Sequence, residues 1–345
     1  MNEHINYMNR CLQLAKMGEG LVSPNPMVGA VLVYENRVIG EGFHAKYGQA
    51  HAEVQCLQSV SDDDLKWIRQ STLYVSLEPC SHFGKTPPCV DLILKMQIPK
   101  VVIACRDSSS KVNGQGIEKL SANGVEVIEG ILEKEAQALN APFFFYEKFK
   151  KPYIILKWAQ SNDGFIAKKN QQTKISNEFV DRISHRWRGN VDAIFIGYQT
   201  ALIDNPQLNT RLAHGKNPIR LVMDPSNHLT KKLKIFRDEG KCIVFNFHKN
   251  ETQNHIEYVQ VNPQNPYSEM ISFLVERKIQ TLLVEGGAAT LQRMIDENYW
   301  NEARIIHASL HLHDGVSAPI LKNFILKYHE QIVDNSILYY SNNSL

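Results

Sequence analysis

The sequence predicts two successive α/β domains, at residues 1–146 and 147–345. Three observations carry that expectation. A chain of 345 residues exceeds the range over which one hydrophobic core keeps growing. Short β-rich apolar runs alternate with segments of helical periodicity in both halves, the pattern of layered α/β architecture. Between the halves, 141–152 (APFFFYEKFKKP) breaks the alternation and ends in a proline, which marks it as the connection.

Residues 1–17 read as an amphipathic helix, with Ile5, Met8, Leu12 and Ala15 on one face. The runs 27–34 and 37–43 read as paired strands joined through Glu35-Asn36, and 51–58 as a helix. A short strand at 72–76, a helix at 88–95 that Pro88 can start, and a strand at 100–104 follow. Helix 114–122, strand 125–129 and helix 132–140 complete the first half. In the second half, 153–159, 193–197, 219–223, 241–246 and 281–284 read as buried strands. Residues 178–188, 269–278 and 288–297 read as helices. The last dozen residues are polar and are expected to fray.

Composition narrows the function classes. Apolar content of 43% and charged content of 21% describe an ordinary globular protein, and a formal charge of +2 gives no electrostatic case for nucleic acid or membrane. No apolar run reaches 18 residues and the N-terminus does not read as a signal peptide, so a cytoplasmic location is expected. Six cysteines in so long a chain do not form a disulfide framework; a close, motif-bound pair points to metal instead.

That pair exists. His51-Ala52-Glu53, Pro79-Cys80 and Pro88-Cys89 supply one imidazole and two thiols, with a carboxylate two residues from the imidazole. Three protein ligands on tetrahedral zinc leave one position for water, the layout of a catalytic rather than a structural site. Zinc lowers the pKa of such a water from 15.7 to roughly 7. Nucleobase deaminases use a His, two Cys and a non-ligating Glu that moves protons. Their usual signature closes with Pro-Cys-x-x-Cys, whereas here Ser81 to Pro88 separate the cysteines. Structural zinc would need a fourth ligand, for which His82 or His44 is available. Cys105, Cys11, Cys56 and Cys242 read as small core residues.

The stretch Leu77-Glu78-Pro79-Cys80-Ser81-His82-Phe83-Gly84-Lys85-Thr86-Pro87-Pro88-Cys89, with Pro24-Asn25-Pro26-Met27-Val28-Gly29-Ala30 upstream, resembles the deaminase half of the bifunctional riboflavin-biosynthesis deaminase-reductases. Lys157-Trp158-Ala159-Gln160-Ser161-Asn162-Asp163-Gly164 and the run from Thr200 to Arg211 resemble their reductase half. The resemblance spans nearly the whole chain and is weakest after about residue 310. It implies a cytidine-deaminase-like α/β/α domain followed by a dihydrofolate-reductase-like α/β domain. It implies Zn2+ on His51, Cys80 and Cys89, with Glu53 catalytic. Asn25, His44, His82 and Lys85 would hold the pyrimidine and its ribosyl phosphate. Ala159, Thr200, Asp204 and the turn Gly287, Ala288, Ala289, Thr290, Leu291, Gln292 and Arg293 would face NADPH. Arg188, Leu208, Arg211 and Glu285 would face the ribosyl-phosphate substrate, the arginines because a guanidinium fork matches phosphate geometry. A homo-oligomer is expected, with a small-molecule pyrimidine ribosyl phosphate as partner and neither nucleic acid nor membrane.

The chain departs from the family pattern in places. Asp107-Ser108-Ser109-Ser110 stands for Asp-Pro-Asn-Pro, Lys174 for a Trp, Asn162 for a Leu, and Asn227-His228 for a basic pattern. The glycine turn Glu285-Gly286-Gly287 fits phosphate at a helix start but is not a Rossmann fingerprint. The rival readings are a deaminase with a degenerate reductase half, a zinc deaminase acting on nucleic acid, and a non-enzymatic zinc scaffold. The near-neutral charge opposes the second and the unligated Glu53 the third. No residue stands out as the reductase general acid.

Overall fold

The computed structural model describes residues 2–83, 87–108 and 114–344. The chain divides into two units, Met1–Lys150 and Lys151–Leu345. The division falls within the segment read as a connection, but most of that segment is helical. Pro142 sits in the first turn of helix Ala141–Phe149, where its missing N–H costs nothing, so it starts a helix rather than breaking one.

The first unit runs α1 (Asn2–Lys16), β1 (Gly29–Tyr34), β2 (Arg37–Phe43), α2 (Ala52–Gln58), β3 (Thr72–Val75), α3 (Cys89–Lys95), β4 (Lys100–Ile103), α4 (Gln115–Ala122), β5 (Glu126–Glu129), α5 (Glu133–Leu139) and α6 (Ala141–Phe149). Its sheet has the order β2-β1-β3-β4-β5. β1 is antiparallel to β2 and β3, and β3, β4 and β5 are parallel. Alternation along each strand builds the layers. Ala30, Leu32, Leu73, Val75, Val101 and Ile103 pack under α2, α3 and α4. Val31, Val33, Tyr74 and Val102 pack under α1 and α5. Helix α2 is seated on β2 by Gly42, where an added Cβ would lie 2.3 Å from Cys56 N and 2.6 Å from Ala52 O.

The second unit runs β6 (Tyr153–Gln160), β7 (Phe165–Ala167), α7 (Glu178–Gly189), β8 (Ala193–Gly197), α8 (Tyr198–Asp204), β9 (Ile219–Met223), β10 (Cys242–Asn246), β11 (Glu251–Gln253), β12 (Ile256–Gln260), α9 (Pro266–Glu276), β13 (Thr281–Gly286), α10 (Ala288–Asp296), β14 (Glu302–Ala308), β15 (Val316–Ser317), β16 (Phe324–Ile332) and β17 (Asn335–Asn342). Its main sheet has the order β11-β12-β10-β9-β8-β13-β6-β14-β17-β16. The strands from β12 to β14 in that order are parallel, and the central β8 is apolar throughout and buried, as a strand covered on both faces must be. Ile154, Leu156, Phe195, Leu282 and Val284 pack against α9 and α10. Ile155, Ile194, Ile196 and Leu283 pack against α7 and α8. The expectation that the last residues fray is overturned: β17 lies inside the sheet, between β14 and β16. Its polar residues are partners rather than loop chemistry. Asn342 Nδ2 donates to Trp300 O and Asn298 Oδ1, and Asn335 Oδ1 accepts from Asn177 N.

Candidate active sites

The deaminase site is built at helix starts. His51 is the N-cap of α2, Cys89 is the first residue of α3 behind its N-cap Pro88, and Cys80 lies in the segment after β3. The Nδ1 of His51 is 3.5 Å from Cys80 Sγ and 3.4 Å from Cys89 Sγ. All three ligand atoms lie within 4.8 Å of one another. With Zn–N near 2.0 Å and Zn–S near 2.3 Å, a tetrahedral site has an N···S edge of about 3.6 Å. The donor set therefore fits zinc without rearrangement. Cys89 N at the helix start donates to Cys80 Sγ at 3.4 Å. The thiol of Cys89, hydrogen-bonded to Cys80, and the neighbouring His51 pull the Cys80 thiol down to about 4. Cys89 moves up because it donates to Cys80 and is buried. One sulfur is thus already a thiolate acceptor, and a dication replaces the remaining proton.

Glu53 sits in the first turn of α2 and is buried. Burial, and then the Cys80 charge, raise its carboxyl pKa, which suits a group that must take and return a proton. His44 is also buried, its ring 5.4 Å from that of His51. Its Nδ1 lies 3.1 Å from Ala50 O, and a carbonyl only accepts, so Nδ1 carries the proton. Nε2 then accepts from Asn25 Nδ2 at 3.1 Å. His44 is therefore committed to Asn25 and the backbone rather than to metal, and burial lowers its pKa, keeping it neutral. His82 Nδ1 is buried and has no hydrogen-bond partner among the described residues. Neither His44 nor His82 joins the metal cluster found among those residues. Lys85 lies outside the described residues.

Sequence reasoning passed over Glu78. Its buried carboxylate accepts from Asp107 N and Gly114 N through one oxygen, and from Gly116 N and Ile117 N through the other. It ties the start of α4 to the Pro79-Cys80 segment. The available signal was a carboxylate at the end of an apolar strand, which burial tolerates only when fully hydrogen-bonded.

In the second unit a cavity of about 1250 Å³ opens at the C-terminal ends of β6, β8, β9 and β13, the usual ligand edge of a parallel sheet. It is lined by Ala159, Thr200, Asp204, Gly287, Ala288, Ala289, Thr290 and Leu291, and by Arg188, Leu208, Arg211 and Glu285. Gln292 and Arg293 are not among the lining residues: Gln292 bonds Asp296 and Ile320, and Arg293 pairs with Glu297. Gly197 lets the starts of α8 and α10 meet, since an added Cβ there would lie 2.4 Å from Thr290 Oγ1.

The cavity's charges are organised around Glu285. Arg188 Nε and Nη2 each donate to one of its oxygens at 2.8 Å, and Lys157 Nζ lies 3.8 Å away. Burial alone would raise Glu285, but Arg188 and Lys157 hold it down to about 2. Burial lowers Lys157 despite Glu285. His185, unrecognised in the sequence, is buried beside Arg188; burial and the charges of Arg188 and Arg211 push it down to about 4, so it is neutral at pH 7. Arg211 is exposed, and its Nη1 donates to Asn209 Oδ1 at 2.9 Å. Lys168, Lys169, Lys174 and Lys234 add to the lining, so cations outnumber carboxylates, as phosphate-bearing ligands require.

Comparison with known proteins agrees with this division of chemistry. Residues 1–105 match the family model described as the cytidine and deoxycytidylate deaminase zinc-binding region, and 152–321 match the RibD C-terminal domain. The riboflavin biosynthesis protein RibD of Aquifex aeolicus is 36% identical over 319 residues, covering 90% of this chain and 88% of its own. That of Buchnera aphidicola is 32% identical over 96% of this chain and 92% of its own. The chain belongs to the RibD family. The crystal structure of the Thermotoga maritima diaminohydroxyphosphoribosylaminopyrimidine deaminase/5-amino-6-(5-phosphoribosylamino)uracil reductase superposes with a TM-score of 0.92 at 34% identity, covering 99% of both chains. Acinetobacter baumannii RibD superposes at 0.89 with 29% identity, again over 99% of both. As a RibD, the protein is a bifunctional enzyme of riboflavin biosynthesis, a zinc-binding deaminase joined to an NADPH-dependent reductase. No helix among the described residues is long and apolar enough to cross a membrane.

Proposed function

We propose that the first unit hydrolytically deaminates 2,5-diamino-6-ribosylamino-4(3H)-pyrimidinone 5′-phosphate, and that the second reduces the ribosyl group of 5-amino-6-(5-phosphoribosylamino)uracil to ribityl. The observation that carries the first step is the buried Glu53 beside the His51, Cys80 and Cys89 donors. Zinc on those donors supplies Lewis acidity. Glu53 takes a proton from the attacking water and delivers it to the departing amine; ammonia leaves and the ring carbon becomes a carbonyl. Asn25, oriented by His44, and His82 present polar atoms to the pyrimidine, and Lys85 meets the phosphate.

NADPH supplies the hydride for the second step. Addition at C1′ opens the ribose ring, and its ring oxygen needs a proton. Lys157 is our candidate donor, supported by its position in the cavity lining, its burial and its lowered pKa. Glu285 and Arg188 orient Lys157 and the sugar, Arg211 grips the 5′-phosphate, and Thr200, Asp204 and the start of α10 take the cofactor. The protein acts in the cytoplasm as a homo-oligomer.

The test is incubation of purified protein with the diamino pyrimidine substrate, with and without NADPH, followed by mass analysis. The expected products are the aminouracil alone without NADPH and the ribityl compound with it. Absence of ammonia release refutes the first step, and absence of NADPH consumption refutes the second.

A further inference from the structure

Helix α7 sets two side chains of one face against the cavity wall. His185 and Arg188 stand three residues apart on it, so they are neighbours along its surface. Arg188 lines the cavity and forks onto Glu285. His185 is not among the lining residues and is only 4% exposed. It meets the guanidinium from inside the protein, with Nε2 3.4 Å from Arg188 Nη1.

The bonding of this ring is one-sided. Nδ1 is buried and has no hydrogen-bond partner among the described residues. A histidine kept for packing normally has both ring nitrogens satisfied, because an unpaired buried polar atom is costly. Here the contact is at Nε2, towards Arg188. The ring is neutral at pH 7, since burial and the charges of Arg188 and Arg211 push it down to about 4. With the proton on Nδ1, the Nε2 lone pair accepts from the guanidinium; a protonated ring could not.

Arg188 Nη1 has a second anchor, the carbonyl of Asn209 at 3.4 Å. With Nε and Nη2 on Glu285, four of the five guanidinium donors are committed, and one N–H on Nη2 is left for a ligand. The side chain of the same Asn209 accepts from Arg211 Nη1 at 2.9 Å. The segment carrying Asn209 is itself tied down, because Thr210 N and Oγ1 donate to Asn217 Oδ1 at 2.9 and 2.7 Å. An arginine has much rotamer freedom to lose, and one fixed beforehand loses less on binding.

We propose that His185 is a positioning residue of the reductase: it accepts from Arg188 and, with the Asn209 carbonyl, fixes the guanidinium that meets the ribosyl phosphate. This rests on the reading of Arg188 as a substrate contact and adds the side chain that orients it. The experiment is NADPH consumption by the full chain at saturating NADPH, with the aminouracil phosphate varied. His185→Leu fills the site without an acceptor. It should raise KM about 10-fold while kcat stays within about 3-fold, as loss of uniform binding does. His185→Gln keeps an acceptor near the position of Nε2 and should recover most of that loss. Because a change at a buried residue can loosen the fold, the deciding arm is a double-variant cycle. Arg188→Lys keeps a charge on Glu285 but has no second amino group to be held. Its raised KM should therefore not rise further when His185→Leu is added, whereas a purely structural loss would add in either background. A wild-type KM in His185→Leu, an equal loss in His185→Gln, or an equal further rise in the Arg188→Lys background overturns the role of His185. A wild-type KM in Arg188→Lys refutes the substrate reading of Arg188 and this inference with it. A raised KM there beside an unaffected His185→Leu refutes this inference alone.

Discussion

In the first unit the donor atoms lie within 4.8 Å of one another, two of them at the starts of short helices. In the second the candidate residues are spread around a cavity of about 1250 Å³, and the tightest contact, Arg188 on Glu285, joins residues 97 positions apart. The difference follows from what each must hold. A metal ion and one ring carbon need a few donors at fixed bond lengths. A dinucleotide and a sugar phosphate side by side need a long surface with positive charge and a helix start. The compact site should therefore fail all at once when one donor is lost, whereas the extended one should fail by degrees.

The largest effect tests the compact site. Cys80→Ser with Cys89→Ser should abolish zinc binding and ammonia release together, while reduction of pre-deaminated substrate persists. Full zinc in the double variant, by elemental analysis, would remove both ligands. Next, Glu53→Gln should retain zinc and lose deamination by at least ~100-fold; near-normal ammonia release would take Glu53 out of the chemistry.

The extended site should respond less steeply. Arg188→Met leaves the buried Glu285 carboxylate with only Lys157, and should cost the second unit about 3 kcal/mol in urea denaturation. An unchanged midpoint would mean the pair contributes nothing to stability. Arg211→Ala should keep the fold and raise KM for the aminouracil phosphate about 10-fold, as loss of one charged hydrogen bond does. Wild-type rates at sub-saturating substrate would refute the phosphate grip. The smallest effect is in pH. Glu285 is depressed from 4.5 to about 2, so its stabilising contribution is complete above pH 4.5 and is lost as pH falls from there towards 2. Urea midpoints followed across that range should fall less in Glu285→Gln than in wild type.

The same contrast explains what the sequence revealed. The zinc ligands and Glu53 fall in short local motifs, and most first-unit strands fall where period-two apolar runs place them. Lys157, His185 and the Arg188–Glu285 pair are brought together by packing across the parallel strands and α7, and no local pattern exposes such pairing. Helix α6 reads in the sequence as a connection because 141–152 breaks the alternation and ends in Pro152, although Pro142 occupies a helix start. The last dozen residues read in the sequence as a fraying tail because they are polar, although Asn335 and Asn342 are buried and hydrogen-bonded. Glu78 stood in plain view beside Pro79-Cys80, but its role depends on amides some thirty to forty residues downstream.

Asn140, at the junction of α5 and α6, is buried, and its side chain accepts from Met27 N at 2.8 Å and donates to Met27 O at 2.9 Å. Met27 is two residues from Asn25. The zinc-binding region recognisable by homology ends at residue 105, yet the side chain that straps the loop beside Asn25 stands 35 residues later. A chain shortened to the homologous region would keep every donor to zinc and lose both bonds that Asn140 makes to Met27.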